Sequence, residues 1–130
     1  MNKILISINP EHVNNILKGI KKYEYRKKAA LKDIHSIIIY STKPDKKVVA
    51  EVEIIEVLCE TPEKLWKKTK EFSGIDKSFF DNYFRNKKVA YAYKIGNIKI
   101  FDEPKELSDF GVKMAPQSYV YIKEKYLNLI

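Results

Sequence analysis

Lys18-Gly19-Ile20-Lys21-Lys22-Tyr23-Glu24-Tyr25-Arg26-Lys27-Lys28 is the stretch on which the reading of this chain turns. A helical pattern ends at Gly19 and a period-two pattern starts at Lys22. Lys22, Glu24 and Arg26 then share one face of a strand, with Tyr23 and Tyr25 on the other and Lys21 at the hinge. A carboxylate bracketed by cations, on a strand that begins beneath a helix end, makes a polar pocket wall. The plainer reading is a solvated face carrying ordinary Lys–Glu pairs.

Working back toward the first residue, Ile4 to Ile8 reads as a buried strand closed by Asn9-Pro10. Asn9 suits a helix N-cap, Pro10 the first helical position, and Glu11 the positive helix start. Val13, Ile16, Leu17 and Ile20 follow at i, i+3, i+4 and i+7, which predicts a helix with one core stripe ending at Gly19. His12 lies off that stripe and is expected to be exposed.

Forward of the opening stretch, Ala29 to Asp33 is a connection and Ser36 to Tyr40 a strand buried on both faces. Ser41 to Lys46 is a polar turn. Lys47 to Glu60 is the longest strand pattern, and its phase slips at Ile54-Ile55, as a β-bulge would produce. The slip turns Ile55, Val57 and Cys59 inward, so Cys59 is expected as a core thiol. Thr61-Pro62-Glu63 repeats the cap order before a helix carrying Leu65, Trp66, Thr69 and Phe72, with Trp66 a core anchor and Gly74 the stop. Asp76 can cap a short helix carrying Phe79, Phe80, Tyr83 and Phe84. Val89 to Ile95 is a strand, and Gly96-Asn97 is either a hairpin turn or a bulge within one long edge. Ile98 to Phe101 continue as strand, Pro104 to Asp109 is a helical turn or loop, and Tyr119 to Ile122 is a last strand. Tyr91, Tyr93, Tyr119 and Tyr121 either fill the core or line a cleft.

Composition bounds the class. The chain has 130 residues, 25 basic against 17 acidic, and a net charge of +8. That length suits a single domain over 1–130 with a sizeable core. The excess charge is local: Lys18 to Lys32 holds seven bases and the single Glu24, while Glu51 to Glu63 holds five Glu and no base. A localised basic segment is a candidate phosphate footprint, with Lys18, Lys22, Lys27 and Lys28 the groups that would hold phosphate. Cys59 is the only cysteine, which excludes an internal disulfide. With His12 and His35 it cannot build a zinc cluster of the usual spacing, and neither metal nor cofactor is expected. The apolar run after Met1 is too short for a signal or a membrane span, so the expected setting is cytoplasmic.

Helix termini, strand patterns and their short connections together predict an α+β fold, a small, mostly antiparallel barrel or bent sheet with helices on its outside. Ser7-Ile8-Asn9-Pro10, followed by Gly19-x-Lys21-x-x-Glu24-x-Arg26, resembles the signature of the ASCH domain, a family of the PUA-like superfamily. Ile39-Tyr40-Ser41-Thr42-Lys43-Pro44, Leu65-Trp66, Ser73-Gly74-Ile75, Tyr83-Phe84 and Pro116-Gln117-Ser118 resemble later blocks of its stand-alone members, in order. The resemblance implies a PUA-like pseudo-β-barrel with a cleft where Lys21, Glu24 and Arg26 converge. It adds Ser41, Gln117 and Ser118 as candidate ligand-binding residues. It also implies an RNA-binding or modified-nucleoside-binding module; such proteins are often labelled transcriptional regulators, though no helix-turn-helix is evident here. The alternative is enzymatic, a small amidohydrolase acting on acetylated nucleosides or another RNA-directed hydrolase. In one branch of the family, small ASCH proteins hydrolyse the amide of N4-acetylcytidine with a Lys, a Thr and an acid. Lys21 matches the Lys, Glu24 stands where those enzymes carry Thr, and the acid would fall near Asp76 or Asp81. If this chain is an enzyme, Lys21 and Glu24 are its acid–base pair.

Overall fold

The computed structural model describes residues 2–30 and 33–129. Leu31 and Lys32, part of the expected connection and of the basic segment, lie outside the described residues. In chain order the elements are β1 (Asn2–Ile8), α1 (Pro10–Leu17), β2 (Tyr23–Arg26), β3 (Ile34–Ser41), β4 (Lys47–Glu60), α2 (Pro62–Thr69), α3 (Lys77–Tyr83), β5 (Ala90–Lys105) and β6 (Val120–Tyr121). Short 3-10 turns occupy Lys70–Phe72, Leu107–Phe110 and Glu124–Leu129.

The six strands form one sheet in the order β2-β5-β4-β3-β1-β6, curled into a half-barrel. Every pairing is antiparallel except β1 with β3, where α1 and β2 make the crossover. The architecture is the expected α+β one, a bent, mostly antiparallel sheet with helices packed against it. Gly96-Asn97 resolves as the interior of one long strand, so β5 replaces the two strands that a hairpin would have given.

Local chemistry set the helix ends as read. Asn9 Oδ1 accepts from the Glu11 N–H at 3.1 Å, Thr61 Oγ1 from Lys64 N–H at 3.3 Å, and Asp76 Oδ1 from Phe79 N–H at 2.8 Å. Gly19 has φ +80 and ends α1. That turn carries the next residue away from the helical stripe, so Ile20 is 55% exposed instead of packed.

The core lies on both faces of the sheet. Ile4, Ile6 and Ile8 of β1 and Ile37 and Ile39 of β3 pack beneath Val13 and Ile16 of α1. Leu5, Ile38 and Tyr40 face the other way, against Phe101, Phe110 and Ile122. A third cluster joins Tyr25, Ala90 and Ala92 to Leu65, Phe80 and Phe84 of the helices, with Trp66 half-buried against it. β3 is therefore buried on both faces, as its apolar run predicts.

β4 shows the expected slip. Ile54 pairs with Ile95 and Glu56 with Lys94, so one extra residue stands on β4. Val57 then shares a face with its partner Tyr93, and Leu58 with Ala92. The consequence for Cys59 is nevertheless reversed. At that end of the strand α2 and α3 cover the Leu58 face, while Ile55, Val57 and Cys59 stay exposed on β4 although Tyr93 across from them is buried. Ile55 and Cys59 are exposed, and the expectation of a core thiol is wrong. Phe72, expected on the packed side of the helix with Leu65, Trp66 and Thr69, is exposed at 39%.

Candidate functional site

The stretch from Gly19 to Arg26 is pinned at both ends. Lys21 N–H donates to the Asn15 carbonyl at 3.0 Å, Lys22 N–H to the Phe72 carbonyl at 2.9 Å, and the Lys22 carbonyl accepts from Ile95 N–H at 2.9 Å. These bonds carry the chain from the foot of α1 onto the edge of the sheet. Lys21 turns inward there and is only 2% exposed. Its ammonium donates to the Ser73 carbonyl at 2.7 Å and lies 4.8 Å from the centre of the Tyr25 ring. Gly74, at φ +70, packs directly on the Lys21 stem; any Cβ there would collide with it. The Tyr25 ring is itself held. Thr69 Oγ1 donates its proton to the Leu65 carbonyl at 2.8 Å, so at the 2.6 Å contact between Tyr25 and Thr69 the phenol is the donor.

Glu24, 6% exposed, faces the same space. Its Oε2 accepts from Arg26 Nη2 at 2.8 Å and from Nε at 3.1 Å. Arg26 Nη2 also donates to the Ser7 carbonyl at 2.8 Å, which ties β2 to the end of β1. Both guanidinium bonds fall on Oε2, which fixes the carboxylate in one orientation.

Together these residues line a cavity of about 290 Å³ whose wall also includes Ser7, Asn9, Glu11, His12, Ile75, Phe79 and Tyr83. The wall alternates charge and aromatic surface. Burial pushes the Lys21 ammonium below its ordinary value, with Glu24 opposing that and Arg26 adding to it. Burial and the Lys21 charge likewise hold the His12 imidazole low. Burial pushes the Tyr25 phenol up to about 12 despite its bond to Thr69. A lysine of reduced basicity can donate hydrogen bonds or carry a proton; a carboxylate locked by Arg26 can accept from an amino or imino group.

Lys21, Glu24 and Arg26 are thus brought to one cavity. Ser41, Gln117 and Ser118 are not among its lining residues. Ser41 pairs with Ile8 across the β1–β3 ladder and its hydroxyl donates to Asp45 at 2.8 Å. Gln117 is exposed and Ser118 half-buried, in the irregular run before β6. Lys18, Lys22, Lys27 and Lys28 are all exposed. Lys27 Nζ lies 4.8 Å over the ring of Tyr83, at the cavity's edge, while Lys22 Nζ lies 4.3 Å over Phe72.

His12, Ser7, Phe79 and Tyr83 were not read as site residues in the sequence. His12 is half-buried, edge-on to Phe79 at 5.4 Å, which corrects its expected exposure. Nothing in the period of α1 signals that; the covering ring comes from α3, far along the chain. The one hint was that Asn9-Pro10 sets the start of α1 beside the strand that ends at Ile8. Among the described residues no group of three or more His, Cys, Asp or Glu is placed to hold a metal. No helix among them is long and apolar enough to cross a membrane.

Comparison with known proteins places this geometry in a family. The ASCH domain matches residues 6–99. The crystal structure of ASCH from Zymomonas mobilis superposes with a TM-score of 0.89 at 21% identity, covering 97% of this chain and 91% of that one. A point mutant of the ZmASCH protein from the same organism gives 0.90 at 19% identity, covering 99% and 96%. At that identity these structures speak to the fold alone. A large ribosomal subunit protein uL22 of Ureaplasma parvum serovar 3 is 26% identical over 121 residues, which is 92% of this chain and 39% of that protein. An ATP synthase subunit alpha of the same organism is 24% identical over 121 residues, 92% of this chain and 15% of that protein. The chain spans well under half the length of these curated relatives.

Proposed function

The chain belongs to the ASCH domain family, and from that premise we propose that it is a binding module for RNA or a nucleoside-like ligand, acting in the cytoplasm on transcription, translation or RNA processing. PUA-like folds are often linked to RNA binding. The observation that carries the reading is the cavity itself, where an oriented carboxylate, a buried ammonium and aromatic side chains meet in about 290 Å³. Unstacked bases are held in this manner, with rings against aromatic walls and polar edges on charged groups. The exposed Lys18, Lys22, Lys27 and Lys28 supply phosphate contacts around it, which position a strand without reading its sequence. Fluorescence anisotropy of a short single-stranded RNA, titrated over a range of salt, tests this. Binding should weaken steeply as salt rises, and replacing Lys27 and Lys28 with Ala should flatten the slope by about two phosphate contacts. An affinity indifferent to salt would remove the phosphate footprint.

A second reading, hydrolysis of an acylated nucleoside, is favoured by one observation: Lys21 is a buried amine of lowered basicity, suited to carrying a proton. Position 24 offers no hydroxyl, and acyl transfer through a carboxylate is different chemistry. Little or no release of acetate from N4-acetylcytidine is expected of the native protein, with a gain in Glu24→Thr. Robust native turnover, lost in Lys21→Ala, would make the protein an enzyme.

A further inference from the structure

One side of the cavity is unaccounted for by the Lys21–Glu24–Arg26 cluster. Ser7 and His12 both line it, and Ser7 Oγ and His12 Nδ1 are shut away from solvent with no hydrogen-bond partner. Native folds rarely leave buried polar atoms unpaired, and two at one cavity mark a place where a ligand supplies the partners. Ser7 also accepts from Arg26 Nη2 through its carbonyl, which holds the two residues together in the wall. His12 is steadied edge-on by Phe79.

We propose that Ser7 and His12 form a second recognition edge of this cavity, and that its ligand is a purine base, guanine in particular. The inference rests on reading the site as a nucleoside pocket. A pyrimidine concentrates its polar atoms on one edge; a purine adds N7 on a second. Guanine also matches the order of charges. Its N1–H and N2 amino group are adjacent donors for Glu24, whereas O6 and N7 are adjacent acceptors for the Lys21 and Arg26 donors and for Ser7 or His12. Adenine would turn its amino group toward the cations. Burial keeps His12 low in basicity, which favours the neutral ring with one donor nitrogen.

Calorimetric titration of the native protein with the 5′-monophosphates of guanosine, adenosine, cytidine, uridine and 7-deazaguanosine tests both layers. Guanosine monophosphate should bind at least about tenfold tighter than either pyrimidine, and the 7-deaza analogue roughly tenfold weaker than guanosine monophosphate. That second difference should vanish in Ser7→Ala or in His12→Ala. Equal binding of pyrimidines, no native penalty for the 7-deaza analogue, or a penalty unchanged in both variants overturns the second edge and leaves the nucleoside reading standing. A native protein that binds none of the five overturns both.

Discussion

Two polar clusters on this sheet are built from nearly the same parts and differ in one respect. On one, Glu51 accepts from Ser36 Oγ at 2.5 Å and pairs with Lys3 at 2.8 Å. On the other, Glu24 pairs with Arg26 at 2.8 Å beside Lys21 and Ser7. Their carboxylate side chains are similarly buried, 13% and 8% exposed. In the first, the serine, the lysine and the acid are spent on one another. In the second, the serine hydroxyl has no partner, the lysine reaches away to Ser73, and both bonds from Arg26 fall on one carboxylate oxygen beside a cavity. A closed cluster is a fold element; one left incomplete around a cavity is what the proposed ligand-binding role requires.

Removing the acid from each cluster should separate them most. Glu51→Ala strands the Lys3 charge and the Ser36 hydroxyl, so a loss of about 3 kcal/mol in urea unfolding is expected, with RNA binding intact in the folded fraction. Glu24→Gln keeps an amide oxygen for Arg26, which also holds the Ser7 carbonyl. It should cost only about 1 kcal/mol while abolishing recognition. A Glu24→Gln protein that unfolds as readily as Glu51→Ala would make the two clusters equivalent.

Acid titration sharpens the contrast. Burial raises the Glu51 carboxyl, but the bonds from Lys3 and Ser36 outweigh it and hold the group below its usual 4.5. A depressed acid stabilises the fold above its unfolded value and loses that contribution as pH falls through the folded one. His12 is depressed from 6.5, so its contribution is complete above that value and declines as pH drops below it. Thermal melts should therefore decline in two stages, the upper removed by His12→Asn and the lower, which Asp76 and Glu60 share, reduced by Glu51→Gln. A single stage shared by both variants would contradict the assignment.

How much of this could be read in the sequence follows from how local each cause is. The caps at Asn9, Thr61 and Asp76 and the stop at Gly19 were legible because each is set within a few residues. The bounds of β4, Lys47 and Glu60, were legible from alternation. The meeting of Lys21 with Glu24 was implied by the resemblance to the ASCH signature; the period-two pattern alone put Lys22 on that face and left Lys21 at the hinge. What failed depended on cover from elsewhere. Cys59 is exposed because α2 and α3 chose the opposite face, and His12 is enclosed because Phe79 arrives from α3. Ser7 looked like one more strand residue, since nothing in the sequence says that its hydroxyl would lack a partner.

The smallest stability change belongs to the most buried cation among the described residues, Lys21, and it carries the most direct test. Lys21→Met deletes the bond to Ser73 but also a charge whose burial is unfavourable, so the two effects should nearly cancel. The measurement is RNA affinity by anisotropy, read beside the melting temperature of the same preparation. The account predicts binding weakened at least about tenfold with a melting temperature within about 3 °C of native. Native affinity in a folded Lys21→Met protein, or collapse of the fold, would contradict the claim that this cluster exists to hold a ligand.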